Sequence, residues 1–207
     1  MVMRSRVVAV FGAGLLGLLA TPALAHHVMD GRLPATFLDG LLSGLGHPII
    51  GLDHLAFVVA VGLAVSILGV SLLVPALLVA ASIAGVLVHI GSLDLPGGEL
   101  LVAASVVAAG LLIASGKAVP GVAWMLLFAL GGFVHGYAFG ESIVGADRPA
   151  LGGYLAGLII IQAGLGTAIA VAAGATLTTS GPALVPRVAG AMIAAVGVVF
   201  AAAGMLA

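Results

Sequence analysis

Apolar residues run through this chain in blocks long enough to cross a bilayer, and polar residues are confined mainly to the short segments between them. Six blocks follow the amino-terminal segment: Phe37–Leu68, Leu72–Gly91, Leu100–Ser115, Val119–Ile143, Ala150–Ala173 and Pro186–Leu206. A membrane-spanning helix needs about 20 such residues. The first block is too long for one straight crossing at about 1.5 Å per residue. Gly44, Gly46 and Pro48 in its outer half predict a break or kink there. Backbone freed by such a break is tolerated at membrane depth only where protein or water satisfies it. Turn signals end the next three blocks: Leu95-Pro96-Gly97-Gly98, Ser115-Gly116-Lys117 and Asp147-Arg148-Pro149.

Composition supports this pattern. Of 207 residues 63% are hydrophobic and 6% charged, with a mean hydropathy of +1.39; a soluble domain carries about 25% charged residues. The 32 glycines have no strict period and lie among Leu, Val, Ile and Ala, which suits close helix packing in lipid. Gly153-x-x-x-Gly157 is read as such a packing pair. The absence of cysteine excludes disulfides, thiolate metal sites and thiol catalysis. No basic patch exists to hold a phosphate backbone, so no nucleic-acid partner is expected.

The amino terminus reads as an export signal. Arg4 and Arg6 form a basic start, Val7 to Leu19 an apolar stretch, and Ala23-Leu24-Ala25 an A-x-A cleavage site. The expected division is a signal peptide over 1–25 and a six-span domain over 26–207, with an uncleaved first helix as the alternative. Charge then orients the spans. With the mature amino terminus outside, the inner connections carry Lys117 and Arg187 and no acid, while Asp30, Asp39, Asp94, Glu99, Glu141 and Asp147 fall outside, against Arg32 and Arg148. That obeys the positive-inside rule and places the chain as a multi-pass protein of the bacterial inner membrane with a periplasmic amino terminus. The fold class is an all-α polytopic membrane helix bundle: six transmembrane helices after a signal peptide, in a suggested 3+3 inverted repeat, because the first and fourth spans run oppositely and each carries a His–acid motif.

Ionisable residues inside such spans are costly and point to function. The densest group is His47, Asp53 and His54, within Gly46-His47-Pro48-Ile49-Ile50-Gly51-Leu52-Asp53-His54. On a regular helix His47 and His54 share a face but lie about 10 Å apart. A kink, or a partner from another helix, is needed for joint chelation. Asp53 can ligate an ion or orient the neighbouring imidazole. The second group is His135 and Glu141 in the fourth span. His89 and Glu99 add an imidazole and a carboxylate at the outer end, and His26 and His27 form an ion-gathering arm if cleavage leaves them at the new terminus. His89 can also be read as a helix–helix hydrogen bonder, Glu99 as an interfacial residue, and His26-His27 as a remnant of cleavage. Imidazole with carboxylate and without sulfur suits a divalent ion of the Zn, Cu, Fe or Ni group and points away from Cu(I).

These residues resemble the HupE/UreJ hydrogenase/urease accessory proteins, a family of nickel permeases. The family's H-P-x-x-G-x-D-H motif of the first span matches His47 to His54, and its H-G-x-x-x-G-E-like motif of the fourth matches His135 to Glu141. Leu95-Pro96-Gly97-Gly98-Glu99-Leu100, followed by Ser105, is similar to the family's entry to the third span. The first motif is also similar to the H-x-x-x-x-D-H of the larger nickel/cobalt permeases, but one more residue separates His47 from Asp53 here, which favours the smaller family. The resemblance implies nickel, or cobalt in some members, as cargo, with hydrogenase or urease maturation as its destination; the residues alone imply only a divalent borderline ion. No resident cofactor, no catalytic residue and no enzyme activity are expected. The expected partners are the metal ion and the lipid bilayer. Two rival classes fit the same residues: an intramembrane zinc-dependent hydrolase and a membrane haem protein with paired axial histidines. No G-x-x-x-x-G-K-[ST] loop is present to use ATP.

Overall fold

The computed structural model describes residues 32–68, 71, 73–177 and 184–206. The expected signal peptide, with His26 and His27, lies outside them. Among the described residues there are seven α-helices and a 3-10 turn, and no strand. The helices are α1 (Phe37–Ile50), α2 (Leu52–Leu68), α3 (Leu73–Ile90), α4 (Gly98–Ser115), α5 (Gly121–Gly140), α6 (Arg148–Leu177) and α7 (Leu184–Leu206); the turn, Glu141–Ile143, follows α5. Helices α3 to α7 are each long and apolar enough to cross a membrane, and α1 with α2 makes one further, broken span. Large apolar side chains such as Leu111, Val122, Leu130 and Val171 lie exposed on the perimeter, where lipid covers them. The chain is a multi-pass membrane protein.

Local chemistry sets the helix ends. Thr36 and Asp39 form a reciprocal cap at the start of α1: Thr36 Oγ1 accepts from Asp39 N at 3.1 Å, and Asp39 Oδ2 accepts from Thr36 N at 3.0 Å. Helix α4 ends at Gly116 with a left-handed φ of 60°. Asp147-Arg148-Pro149 was expected as a turn; instead Arg148 and Pro149 begin α6, where the missing amide of a proline costs no helix bond.

The first span breaks elsewhere than expected. Helix α1 runs straight through Gly44, Gly46 and Pro48 and ends at Gly51, where the chain turns by 79° into α2. Pro48 falls in the last turn of α1. Gly44 and Gly40 serve packing instead: a Cβ on either would strike the backbone of α6 at Tyr154 or Ala150. In return, a Cβ on Gly157 would strike α1 at Leu41, Gly44 and Leu45. The pair Gly153 and Gly157 therefore packs helices as read from the sequence.

The same interlock occurs a second time. A Cβ on Gly132 would strike Leu78, one on Gly136 would strike Ser82, and one on Gly85 would strike Phe133, Gly136 and Tyr137. Gly40, Leu41, Gly44 and Leu45 of α1 thus match Gly132, Phe133, Gly136 and Tyr137 of α5, residue for residue. Ala150, Tyr154 and Gly157 of α6 match Leu78, Ser82 and Gly85 of α3 in the same register. The third pair is self-matched: Gly110 of α4 packs on Gly190 O and Ala194 N of α7, and Gly190 packs on Gly110 O and Ala114 N. Helix α5 turns back into α6 through a short connection, and α6 runs parallel to α1, so α1 and α5 are antiparallel. This is the geometry of an inverted repeat. One helix breaks it: α2 has no counterpart between α5 and α6.

Two apolar clusters fill the interior. The larger joins Phe57, Ala60, Val61 and Ala64 of α2 to Leu78, Val106, Trp124 and Phe128; the smaller joins Val86, Phe139, Ile143, Tyr154 and Leu158. The buried histidines lie between them, with His47 and His54 against Phe139 and His135 against Phe57.

Candidate metal centre

The break at Gly51 creates the centre. Gly51 N–H caps α1 by donating to His47 O at 3.1 Å. Two residues later Asp53 Oδ1 accepts from His54 N at 2.9 Å, in the first turn of α2. The amino-terminal end of α2 favours that carboxylate, because its amides carry a partial positive charge. A Cβ on Gly51 would lie 2.5 Å from His54 Cδ2 and 3.3 Å from Asp53 Oδ1, so only glycine leaves both side chains in place. The bend brings the His47 and His54 rings to 5.7 Å between centroids, well inside their separation on an unbroken helix.

His135 of α5 completes the group. Its Nδ1 lies 2.7 Å from His54 Nδ1, and its Nε2 lies 3.0 Å from Ser105 Oγ of α4. The Ser105 hydroxyl is also placed to donate to Val102 O at 2.7 Å. Beside this pair, Tyr154 OH and Ser142 Oγ lie 3.0 Å and 3.1 Å from His47 Nδ1. Tyr154 OH donates to Phe139 O at 2.7 Å. Asp53 Oδ1 stands 4.0 Å from His54 Nε2, too far for a hydrogen bond. His47, Asp53, His54 and His135 are all buried, none more than 6% exposed. Unpaired, such groups are costly in a bilayer.

Three other candidates lie apart from this group. Glu141 caps the end of α5 and is exposed, although its neighbour Ser142 touches His47. Glu99 is exposed in the first turn of α4, facing Gly204 of α7. His89 ends α3 and packs its ring on Tyr137 at 4.4 Å, with Gly140 against its Cβ. Its Nδ1 is buried with no hydrogen-bond partner. Among the described residues, no three His, Asp or Glu side chains converge as a ready-made metal cage. His54 and His135 meet instead in a hydrogen bond.

Sequence reasoning missed the hydroxyls and the amide. Ser105 was noted only within the family likeness, and Tyr154, Ser142, Ser82 and Gln162 were not singled out. Gln162 of α6 and Ser82 of α3 are fully buried and share a 3.2 Å hydrogen bond. Below the histidines Phe57 stacks on His135 at 4.3 Å, Phe128 lies 5.6 Å from Phe57, and Trp124 lies 5.4 Å from Phe128. This aromatic column closes the centre toward the start of α5. Arg187 lies over Gly116 at the same end of the bundle, next to Lys117.

Residues 14–200 match the family described as HupE / UreJ protein. The chain is 32% identical to Protein HupE of Rhizobium leguminosarum bv. viciae over 159 residues, covering 74% of this chain and 80% of that protein. No solved structure matches the chain.

Proposed function

The chain belongs to the HupE/UreJ family, and from that premise we propose that it is a permease for a divalent transition-metal ion, nickel first and cobalt second, serving the maturation of a hydrogenase or urease. The observation that carries the reading is the burial, side by side, of His47, Asp53 and His54 at the break in the first half and His135 of the second half of an inverted repeat. Substrate sites of such transporters form near the midplane at the repeat interface, beside broken helices; the break at Gly51 supplies the broken helix. Membership of the family goes with an accessory or transport role rather than with catalysis. A haem reading draws no support from the site, because the facing nitrogens of His54 and His135 are in hydrogen-bond contact and leave no gap for a macrocycle.

In this reading the amino terminus faces the periplasm. The exposed acids Glu99 and Glu141, with His26 and His27 where they are retained, raise the local ion concentration. The ion exchanges water for imidazole nitrogen, beside the Asp53 carboxylate. An inside-negative potential draws it inward by roughly 2.3 kcal/mol per unit charge for about 100 mV. Since ligands bind deprotonated, uptake falls as acid protonates the histidines.

The test is uptake of radioactive nickel by cells expressing the chain, with Co²⁺ and Zn²⁺ as competitors. Asp53→Asn and His54→Ala are each expected to reduce uptake to the level of cells without the protein while the variants remain in the membrane. Cobalt competes and zinc does not. Full uptake by both variants overturns the site. No uptake by the unaltered chain, present in the membrane, overturns the permease reading.

A further inference from the structure

Ser105 is buried on α4, a helix that contributes none of the ionisable ligands. Its hydroxyl carries one proton and has two neighbours, Val102 O at 2.7 Å and His135 Nε2 at 3.0 Å. A carbonyl oxygen can only accept, so the proton goes to Val102 O, as is usual for serine inside a helix. The oxygen lone pair then faces His135 Nε2, and that nitrogen must carry the hydrogen. In a neutral imidazole only one nitrogen does, so His135 Nδ1 is bare.

The chain of protons continues across the helices. The 2.7 Å contact between His135 Nδ1 and His54 Nδ1 needs one hydrogen, and His135 has none to give there. His54 therefore donates from Nδ1, and in the neutral ring the hydrogen is then on that nitrogen. Its Nε2 stands 4.0 Å from Asp53 Oδ1.

We propose that Ser105 is a positioning residue for the transported ion: by accepting from Nε2–H it keeps the Nδ1 lone pair of His135 aimed at His54, where the ion binds. The inference rests on the permease reading. The ion takes the place of the hydrogen between the two rings. Nitrogen–metal bonds of about 2.0–2.1 Å need the facing nitrogens to part from 2.7 Å to roughly 3–4 Å, according to the angle at the ion. The His54 ring exchanges tautomer, losing its proton at Nδ1 and taking one up at Nε2, so it stays neutral with no net proton released. Nε2–H can then donate to Asp53 as the 4.0 Å separation shortens. Both histidines then hold the ion through Nδ1 and each has its other nitrogen anchored, one by Ser105 and one by Asp53. Such outer partners typically account for about 10–100-fold in metal affinity.

The experiment uses the full chain, labelled with ¹⁵N-histidine, in lipid nanodiscs. Nitrogen chemical shifts report the tautomer of His135, assigned by its loss in His135→Gln, and calorimetry with Ni²⁺ and Co²⁺ reports affinity. In the unaltered chain His135 carries its proton on Nε2. Ser105→Ala is expected to lose that preference and bind about 10–100-fold more weakly. Ser105→Thr, which keeps the hydroxyl, restores both. A His135 proton on Nδ1 in the unaltered chain overturns the inference without any variant, as does a Ser105→Ala protein with unchanged tautomer and affinity. If the unaltered chain binds neither ion, the permease reading falls, and this inference with it. If it binds while Ser105→Ala matches it, only the role of Ser105 falls.

Discussion

At the residue scale the centre divides into side chains that the sequence announces and side chains that it hides. His47, Asp53, His54 and His135 stand out because ionisable residues are rare in apolar spans, and the structure gathers all four. Tyr154 and Ser142 are hidden because hydroxyls are common in membrane helices and carry no mark of function in one dimension. Yet Tyr154 OH reaches His47 Nδ1, Ser142 Oγ and Phe139 O together. It links α6 to the ring of His47 and to the last turn of α5. Tyr154→Phe keeps the buried ring and removes only the oxygen. The fold should survive, while His47 loses one of its neighbours. The expected result is a rise in the apparent KM for nickel of about three- to tenfold, the equivalent of roughly 1 kcal/mol for a neutral hydrogen bond, with the maximal rate little changed. Initial uptake rates over a range of nickel concentrations measure it. An unchanged KM would show that the Tyr154 hydroxyl does not hold His47.

At the element scale the spans were legible from hydropathy, and their contacts only in part. The position of the break shows why. Gly44, Gly46 and Pro48 all weaken a helix, so propensity puts the kink among them. Tertiary packing overrides it: Gly40 and Gly44 are small because the backbone of α6 lies against them, and the helix ends only at Gly51. A glycine in a membrane helix therefore has two physical meanings, and only the neighbour distinguishes them. A paired substitution test follows. Gly44→Leu drives a side chain into the Tyr154 carbonyl, and Gly136→Leu does the same at Ser82. Both should sharply reduce the amount of folded protein in the membrane. A Cβ on Gly152 or Gly164 would meet no neighbouring helix within 4 Å, so Gly152→Ala and Gly164→Ala should stay within about 0.5 kcal/mol of the parent. Fluorescence-detected size-exclusion chromatography of the four variants separates the classes. Equal loss in all four would mean that the interlock is not what holds the helices together.

At the scale of the whole molecule, the suggested inverted repeat rested on two antiparallel His–acid motifs. The structure places it on firmer ground, since the contacts of α1 with α6 recur in α5 with α3. The sequence hides this because the matched residues are mostly small or aliphatic and interchangeable in lipid. The repeat is unequal where chemistry is needed. His47 and Phe139 occupy matched places, three residues after Gly44 and Gly136, and their rings meet at 5.0 Å. Asp53 and His54 sit on α2, the helix without a counterpart, so the centre is two-fold in its scaffold and unequal in its ionisable side chains, with only His135 coming from the second half. Beneath it, Phe57, Phe128 and Trp124 close the end that carries Lys117 and Arg187. On the permease reading, an ion leaves by that end only if the halves move and the aromatic column parts. The absence of cysteine makes the motion directly testable. Ala60 lies on α2 in the apolar cluster with Phe57 and is 0% exposed, and cysteine replaces it with little change in volume. Ala60→Cys should react slowly with a membrane-impermeant thiol reagent applied to the Lys117 side, and about tenfold faster or more once nickel is supplied from the other side. Adding Asp53→Asn should abolish the acceleration, because the ion can only shift the equilibrium through a difference in its own binding to the two states. A labelling rate indifferent to nickel would mean that the column does not open during transport and that the ion takes a path outside the repeat interface.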